Sequence, residues 1–255
     1  MAEKLIKLHG MSSDKASRVK VKGHRKEFLF EEIIDGLVLK GTNKPDVINR
    51  FGQHFSVKGG SEKQGGEGRE GRIQVFLYTR SAFEDPNFPG GQIILSIFDC
   101  YPPTRQEYES QKINIKKKIE PKMVKLKDYL SDPKNLGNFL NKVFFDRDVD
   151  FFVVYHDDVF HVFDKDEVLS IFKEKLIIGN SIGCQKVTMS YETYFAEIEM
   201  RTTEGKYPSM FMPMNKKVMI SLLTDNITQK KELKKNLWLY GKAMRNYKYD
   251  KKKLF

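Results

Sequence analysis

The sequence predicts an α/β (α+β) fold, and three observations carry that expectation. Phe30, Ile33, Ile34 and Leu37 recur at i, i+3, i+4 and i+7, so residues 24–35 read as one amphipathic helix with Gly36 as its stop. Two short apolar runs, Asp46-Val47-Ile48 and Phe55-Ser56-Val57-Lys58, flank a turn containing Gly52 and read as paired strands. Between Phe151 and Phe163 two runs of β-branched and aromatic residues flank Asp157-Asp158, a second hairpin. Asp164 with Glu167 then forms a capping box that opens a helix through Lys173.

The remaining elements follow in order. Residues 1–22 are rich in lysine and poor in apolar anchors, and read as a mobile arm. Residues 59–72 are glycine-rich and charged, the composition of a flexible loop. Ile73 to Ala82 fits either a helix or a strand: Gln74 and Tyr78 share a helical spacing, yet Val75-Phe76-Leu77-Tyr78 has high β propensity. Gln92 to Phe98 reads as a buried strand ended by Tyr101-Pro102-Pro103. Residues 104–128 are polar and lysine-rich, and strands recur at 186–190, 194–200 and 209–212. The stretch 229–253 is dense in Lys and Arg around Leu233, Leu237, Trp238 and Tyr240. It fits two readings, a track for DNA phosphates or a solvated helix face.

Composition narrows the function classes. A chain of 255 residues with 40% hydrophobic and 12% aromatic residues is a folded globule. At that length burial alone suffices for stability, with about 70–75% of the unfolded surface removed from water. The net charge of +11 points to a polyanionic partner, most often nucleic acid. Two isolated cysteines, Cys100 and Cys184, do not make a disulfide framework and suit a reducing cytoplasm. Met1-Ala2-Glu3-Lys4-Leu5 lacks the apolar core of a signal peptide, and no apolar run is long enough to span a membrane. The expected localisation is cytoplasmic.

The candidate chemistry lies in the first third. A hairpin between the runs of Asp46 and Lys58 brings a carboxylate and an ammonium to one end of a sheet. That pairing suits metal-assisted phosphodiester hydrolysis, in which the carboxylate holds a divalent cation and the lysine positions or deprotonates the attacking water. Glu27 and Glu31, four residues apart, stack on the helix side that also carries Phe30 and Ile34. An inward carboxylate is costly unless paired or metal-bound, and a cation shared with Asp46 offsets that cost. Hard oxygen ligands favour Mg²⁺. Ordinary solvated glutamates on a surface helix are the other reading of Glu27 and Glu31.

Gly23-His24-Arg25-Lys26-Glu27-x-x-Phe30, Lys40-Gly41-Thr42-Asn43-Lys44-Pro45-Asp46-Val47, His54-Phe55-Ser56-Val57-Lys58 and Ile73-Gln74-Val75-Phe76-Leu77-Tyr78 together resemble the core of type II restriction endonucleases, in the PD-(D/E)XK nuclease superfamily. The resemblance covers roughly residues 23–83. It implies a central mixed β-sheet flanked by helices, Mg²⁺-dependent cleavage of double-stranded DNA with Mn²⁺ as a substitute, and a homodimer. Asp46 then matches the metal-binding aspartate, Lys58 the catalytic lysine, and Glu27 the acidic residue of the preceding helix. Gln74 resembles the glutamine that orients the lysine or a phosphate, with Ser56, Glu31 and His24 in support. Ser56 stands where the family usually has Asp or Glu, and the glycine-rich insertion after Lys58 is a second departure. The domain expectation is a basic arm over 1–22, a catalytic core over 23–100, and a remainder of the same domain over 101–255 that carries DNA-binding and dimerisation elements.

Other constellations are weaker. His156-Asp157-Asp158 with His161 fits a hairpin turn better than a metal cluster. The glycine-rich loop lacks a Gly-Lys-Ser/Thr ending, the cysteines lack a CxxC partner, and Ser56 lacks a Gly-x-Ser-x-Gly elbow. The expectation is therefore a Mg²⁺-dependent, sequence-specific DNA endonuclease of restriction type. The alternatives are a phage or mobile-element nuclease of loose specificity, or a non-catalytic basic DNA-binding protein.

Overall fold

The computed structural model describes residues 15–39, 46–59, 72–145, 148–202 and 208–249. In chain order the elements are α1 (Lys15–Ile34), β1 (Gly36–Val38), β2 (Val47–Asn49), β3 (His54–Lys58), β4 (Arg72–Tyr78), α2 (Gly91–Phe98), α3 (Arg105–Leu130), α4 (Pro133–Leu140), β5 (Phe151–His156), β6 (Val159–Asp164) and α5 (Lys165–Lys175). There follow β7 (Ile177–Asn180), β8 (Val187–Tyr191), β9 (Thr193–Arg201), β10 (Ser209–Asn215), α6 (Lys216–Asn226), β11 (Lys230–Lys234), β12 (Leu237–Tyr240) and α7 (Ala243–Asn246). The fold is mixed α/β, as expected. The chain forms two compact units: Met1–Gly71 with Asp148–Lys165 and Ile227–Phe255, and Arg72–Arg147 with Asp166–Asn226. Residues 72–147 belong to the second of these units.

The first unit is built on a mixed seven-stranded sheet in the order β1-β2-β3-β5-β6-β12-β11. Two parallel pairings, β3 with β5 and β6 with β12, join the antiparallel strands β1-β2-β3 to two antiparallel hairpins, β5-β6 and β11-β12. One face of this sheet packs on α1. Phe30 is fully buried and sits 5.3 Å from Phe55 and 5.2 Å from Phe160, ring centre to ring centre. Val47, Val57, Phe151, Val153 and Val162 complete that core. The expected helix over 24–35 is present, and it begins earlier, so residues 15–22 of the expected arm are helical. Gly36 is not its stop. The helix ends because Asp35 adopts a left-handed φ of 56°, which a short polar side chain tolerates. Lys234 Nζ caps that end by donating to Ile33 O at 2.9 Å. Gly36 serves instead for close approach, since a Cβ there would lie 2.7 Å from Ile48 O.

The second hairpin is as expected. Asp157 and Asp158 both have positive φ, 48° and 60°, the backbone of a tight two-residue turn between β5 and β6. Of the basic C-terminal stretch, Lys230–Lys234 and Leu237–Tyr240 form a hairpin and Ala243–Asn246 a short helix, and its residues 250–253 lie outside the described residues. In β11, the edge strand of its sheet, Lys230 and Lys231 are exposed, a placement that guards an open edge against further pairing.

The second unit holds a five-stranded antiparallel sheet, β4-β10-β9-β8-β7. The ambiguous stretch from Ile73 is therefore strand β4, paired with β10. The strand expected over Gln92–Phe98 is a helix, α2. Gly91, Ile94, Leu95 and Phe98 are buried at i, i+3, i+4 and i+7, and Ile93 and Ile97 masked that period by filling the positions between. The lysine-rich stretch is helix α3, opened by a Thr104/Glu107 capping box and buried along Ile115, Ile119, Met123, Leu126 and Leu130. The strands expected at 186–190, 194–200 and 209–212 are β8, β9 and β10. The expected glycine-rich loop lies outside the described residues except at its ends.

Candidate functional site at the end of β3

The β2–β3 turn sets the site. Asn49 Oδ1 accepts from the backbone N–H groups of Phe51 and Gln53, each at 3.0 Å, and Gly52 turns the chain at φ 76°. This turn pairs Val47 with Phe55, and Asp46 N donates to Phe55 O at 2.9 Å. One residue farther, Asp46 stands beside Ser56 and Val57. Its Oδ2 accepts from Val57 N at 2.7 Å, Lys58 Nζ at 3.1 Å and Ser56 Oγ at 3.3 Å. The carboxylate thus takes the place of a strand carbonyl for the Val57 N–H. The side chains of Lys58 and Asp46 are 12% and 20% exposed, so the pair is largely withdrawn from water yet reachable. Ser56 is fully buried.

Strand alternation divides the candidates between two faces. Phe55 and Val57 point into the core shared with α1. Ser56 and Lys58 alternate to the other face, where the register lines up Lys58, Val154, His161 and Trp238 across four strands. Glu27 and Glu31 ride on α1, against the first face, and both are half-buried. The hydrogen bonds and ion pair of Asp46 and Lys58 join neither of them. Among the described residues no group of three or more His, Cys, Asp or Glu side chains is placed to hold a metal. His24 lies on the α1 backbone, and Gln74 lies on β4, opposite Pro213 of β10. That strand joins the five-stranded sheet, whereas Lys58 lies on β3 of the seven-stranded one.

The donor set can be tested against Mg²⁺. Asp46 Oδ2 is filled by three donors, whereas Oδ1 accepts no hydrogen bond among the described residues. One free carboxylate oxygen suits a cation that takes one or two carboxylates and completes its shell with water and substrate phosphate. Asp46 is then the residue that would hold such a cation, through that oxygen alone.

Two features near the site had little sequence signal. Lys26 of α1 sets its stem against Gly59, where a Cβ would come within 2.7 Å of Lys26 Cγ, and its ammonium lies 3.5 Å above the Tyr155 ring. Tyr155 in turn donates to Asp158 Oδ1 at 2.6 Å. His161, on the Lys58 face, pairs through Nδ1 with Tyr240 Oη at 2.8 Å. Burial pushes its imidazole down to about 4, so it is neutral at pH 7. No protein family, curated protein or solved structure matches this chain.

Proposed function

We propose that the chain is a Mg²⁺-dependent, sequence-specific double-stranded DNA endonuclease of restriction type, acting as a homodimer. The observation that supports it best is the Asp46–Lys58 pair at the end of β3, 3.1 Å apart and partly open to solvent. Asp46 would hold Mg²⁺ through Oδ1, and the cation would supply Lewis-acid polarisation of the scissile phosphate and a more acidic water. Ser56 Oγ and Val57 N fix the Asp46 carboxylate, so the ligand is oriented before substrate arrives. Lys58 Nζ has three N–H groups and spends them on Asp46 Oδ2 at 3.1 Å and, more weakly, on Val57 O at 3.5 Å. The remaining N–H would hold the attacking water in line with the phosphorus.

The test is digestion of a supercoiled plasmid with and without Mg²⁺. Discrete bands that require Mg²⁺ and vanish in Asp46→Ala are expected. Wild-type cutting by Asp46→Ala would remove the assignment. A second reading, a non-catalytic DNA-binding protein, is favoured by one observation: the Val57 N–H and Lys58 already give Asp46 a structural role as a strand-end cap. Duplex binding with no Mg²⁺-dependent cleavage would select that reading.

A further inference from the structure

We propose that the solvent face of α3 is a binding surface for the phosphate backbone of duplex DNA. The helix is oriented by its buried stripe, Ile115, Ile119, Met123, Leu126 and Leu130, which turns its lysines away from the core. Lys117, Lys118 and Lys125 are exposed, and Lys116 and Lys122 are half-exposed. Among the described residues none of these five has a carboxylate within ion-pair distance. The helix does pair lysines elsewhere: Lys112 lies 3.2 Å from Glu109, and Lys127 lies 2.8 Å from Asp128. Glu120 sits three and four residues from Lys117 and Lys116 without pairing to either.

The spacing adds a second argument. Lys118, Lys122 and Lys125 fall at i, i+4 and i+7, one line about 10 Å long at 1.5 Å per residue. That is close to the width of the major groove, about 12 Å, so flexible lysine stems from one helix can reach several phosphates. Like charges at i, i+4 repel along a helix, as between Lys118 and Lys122, and a polyanion relieves the repulsion.

The same surface argues against other polyanions. Single-stranded nucleic acid is held by exposed aromatic rings that stack on its bases. From residue 109 to 128 the helix carries no aromatic residue; Tyr108 is stacked on Tyr101 at 5.6 Å, and a Cβ at Gly90 would meet the Tyr129 ring at 2.9 Å. A lipid surface would need a continuous apolar stripe turned outward; the stripe of this helix is buried, and its exposed large apolar residues, Ile113 and Val124, lie eleven residues apart. The choice of DNA over RNA rests on the nuclease reading.

The test is fluorescence anisotropy of a labelled DNA duplex with the full chain, without divalent metal, across a salt series. Replacing Lys117, Lys118, Lys122 and Lys125 together by Gln is expected to raise Kd at least about tenfold and to make the log–log salt slope shallower by about 2–4, at about 0.9 per lost phosphate contact. The same positions changed to Arg should restore the slope. Lys118→Gln alone should shift the slope by about 1 and keeps the test open if the fourfold variant misfolds. An unchanged Kd and slope would overturn the proposal. So would equal binding of wild type to duplex RNA, single strands or phosphatidylserine vesicles. Loss of slope without loss of Mg²⁺-dependent cutting supports this surface alone. A normal slope change in a chain that never cuts removes only the nuclease reading.

Discussion

Lys58 is 12% exposed and donates to Asp46 at 3.1 Å, whereas Lys117, Lys118 and Lys125 on α3 are exposed and have no carboxylate partner among the described residues. The two regions treat the same charge in opposite ways. At the end of β3 a lysine is withdrawn from water, so it must be paired, and its partner must be held by further donors. On α3 the exposed ammonium groups of Lys117, Lys118 and Lys125 keep their hydration, so no partner is required and the positive charge stays available to another molecule. The difference separates a lysine that burial obliges to pair from lysines whose charge stays in water.

Four experiments break or sharpen that contrast. The largest effect is expected from Asp46→Ala, which should reduce Mg²⁺-dependent plasmid cleavage to background while duplex affinity at moderate salt changes little. Lys58→Met should lower the cleavage rate by about 10²–10³-fold, the loss typical of one aimed donor in a water-poor site. The same change should cost about 1–3 kcal/mol in urea unfolding, because it strands a largely buried carboxylate.

His161 extends the contrast to a cation kept neutral by burial. Its folded value of about 4 lies below the ordinary histidine value. Between about pH 6.5 and pH 4 the unfolded chain binds this proton and the folded chain does not, so its contribution to stability is complete above pH 6.5 and falls as pH drops through that window. The loss should reach roughly 3 kcal/mol and should be absent in His161→Gln, read as the difference in urea midpoints across pH 4–7. The smallest effect is expected on α3, where Lys122→Gln should leave stability unchanged or raise it by about 0.2–0.5 kcal/mol by removing a like-charge neighbour of Lys118.

Much of the site was legible before the fold was known. Asp46 and Lys58 were readable as neighbours because a short hairpin with Gly52 at its turn permits few registers. The Asp157-Asp158 turn was readable because both residues tolerate positive φ. Glu27 was harder. Helical spacing shows that Glu27 shares a side with Phe30, yet it does not show which face of the sheet that side meets. Gln74 was harder still, because strand order is a long-range property and β4 pairs with β10, far along the chain. Gln92–Phe98 failed for a local reason: a run apolar at nearly every position carries no usable period. The Thr104/Glu107 capping box was present in the sequence and marked the start of α3 as clearly as Asp164 and Glu167 marked the start of α5.

What the residues alone determined is local: helices with a buried stripe, tight turns at Asn49–Gly52 and Asp157-Asp158, and the adjacency of Asp46 to Lys58. These depend on backbone preferences and on side chains only a few residues apart. The tertiary structure decided which sheet each strand joined, which face α1 covered, and that Lys117, Lys118 and Lys125 of α3 are exposed with no carboxylate partner among the described residues. Those outcomes depend on burying apolar surface between segments distant in the chain, a sum over many weak contacts that no single motif encodes.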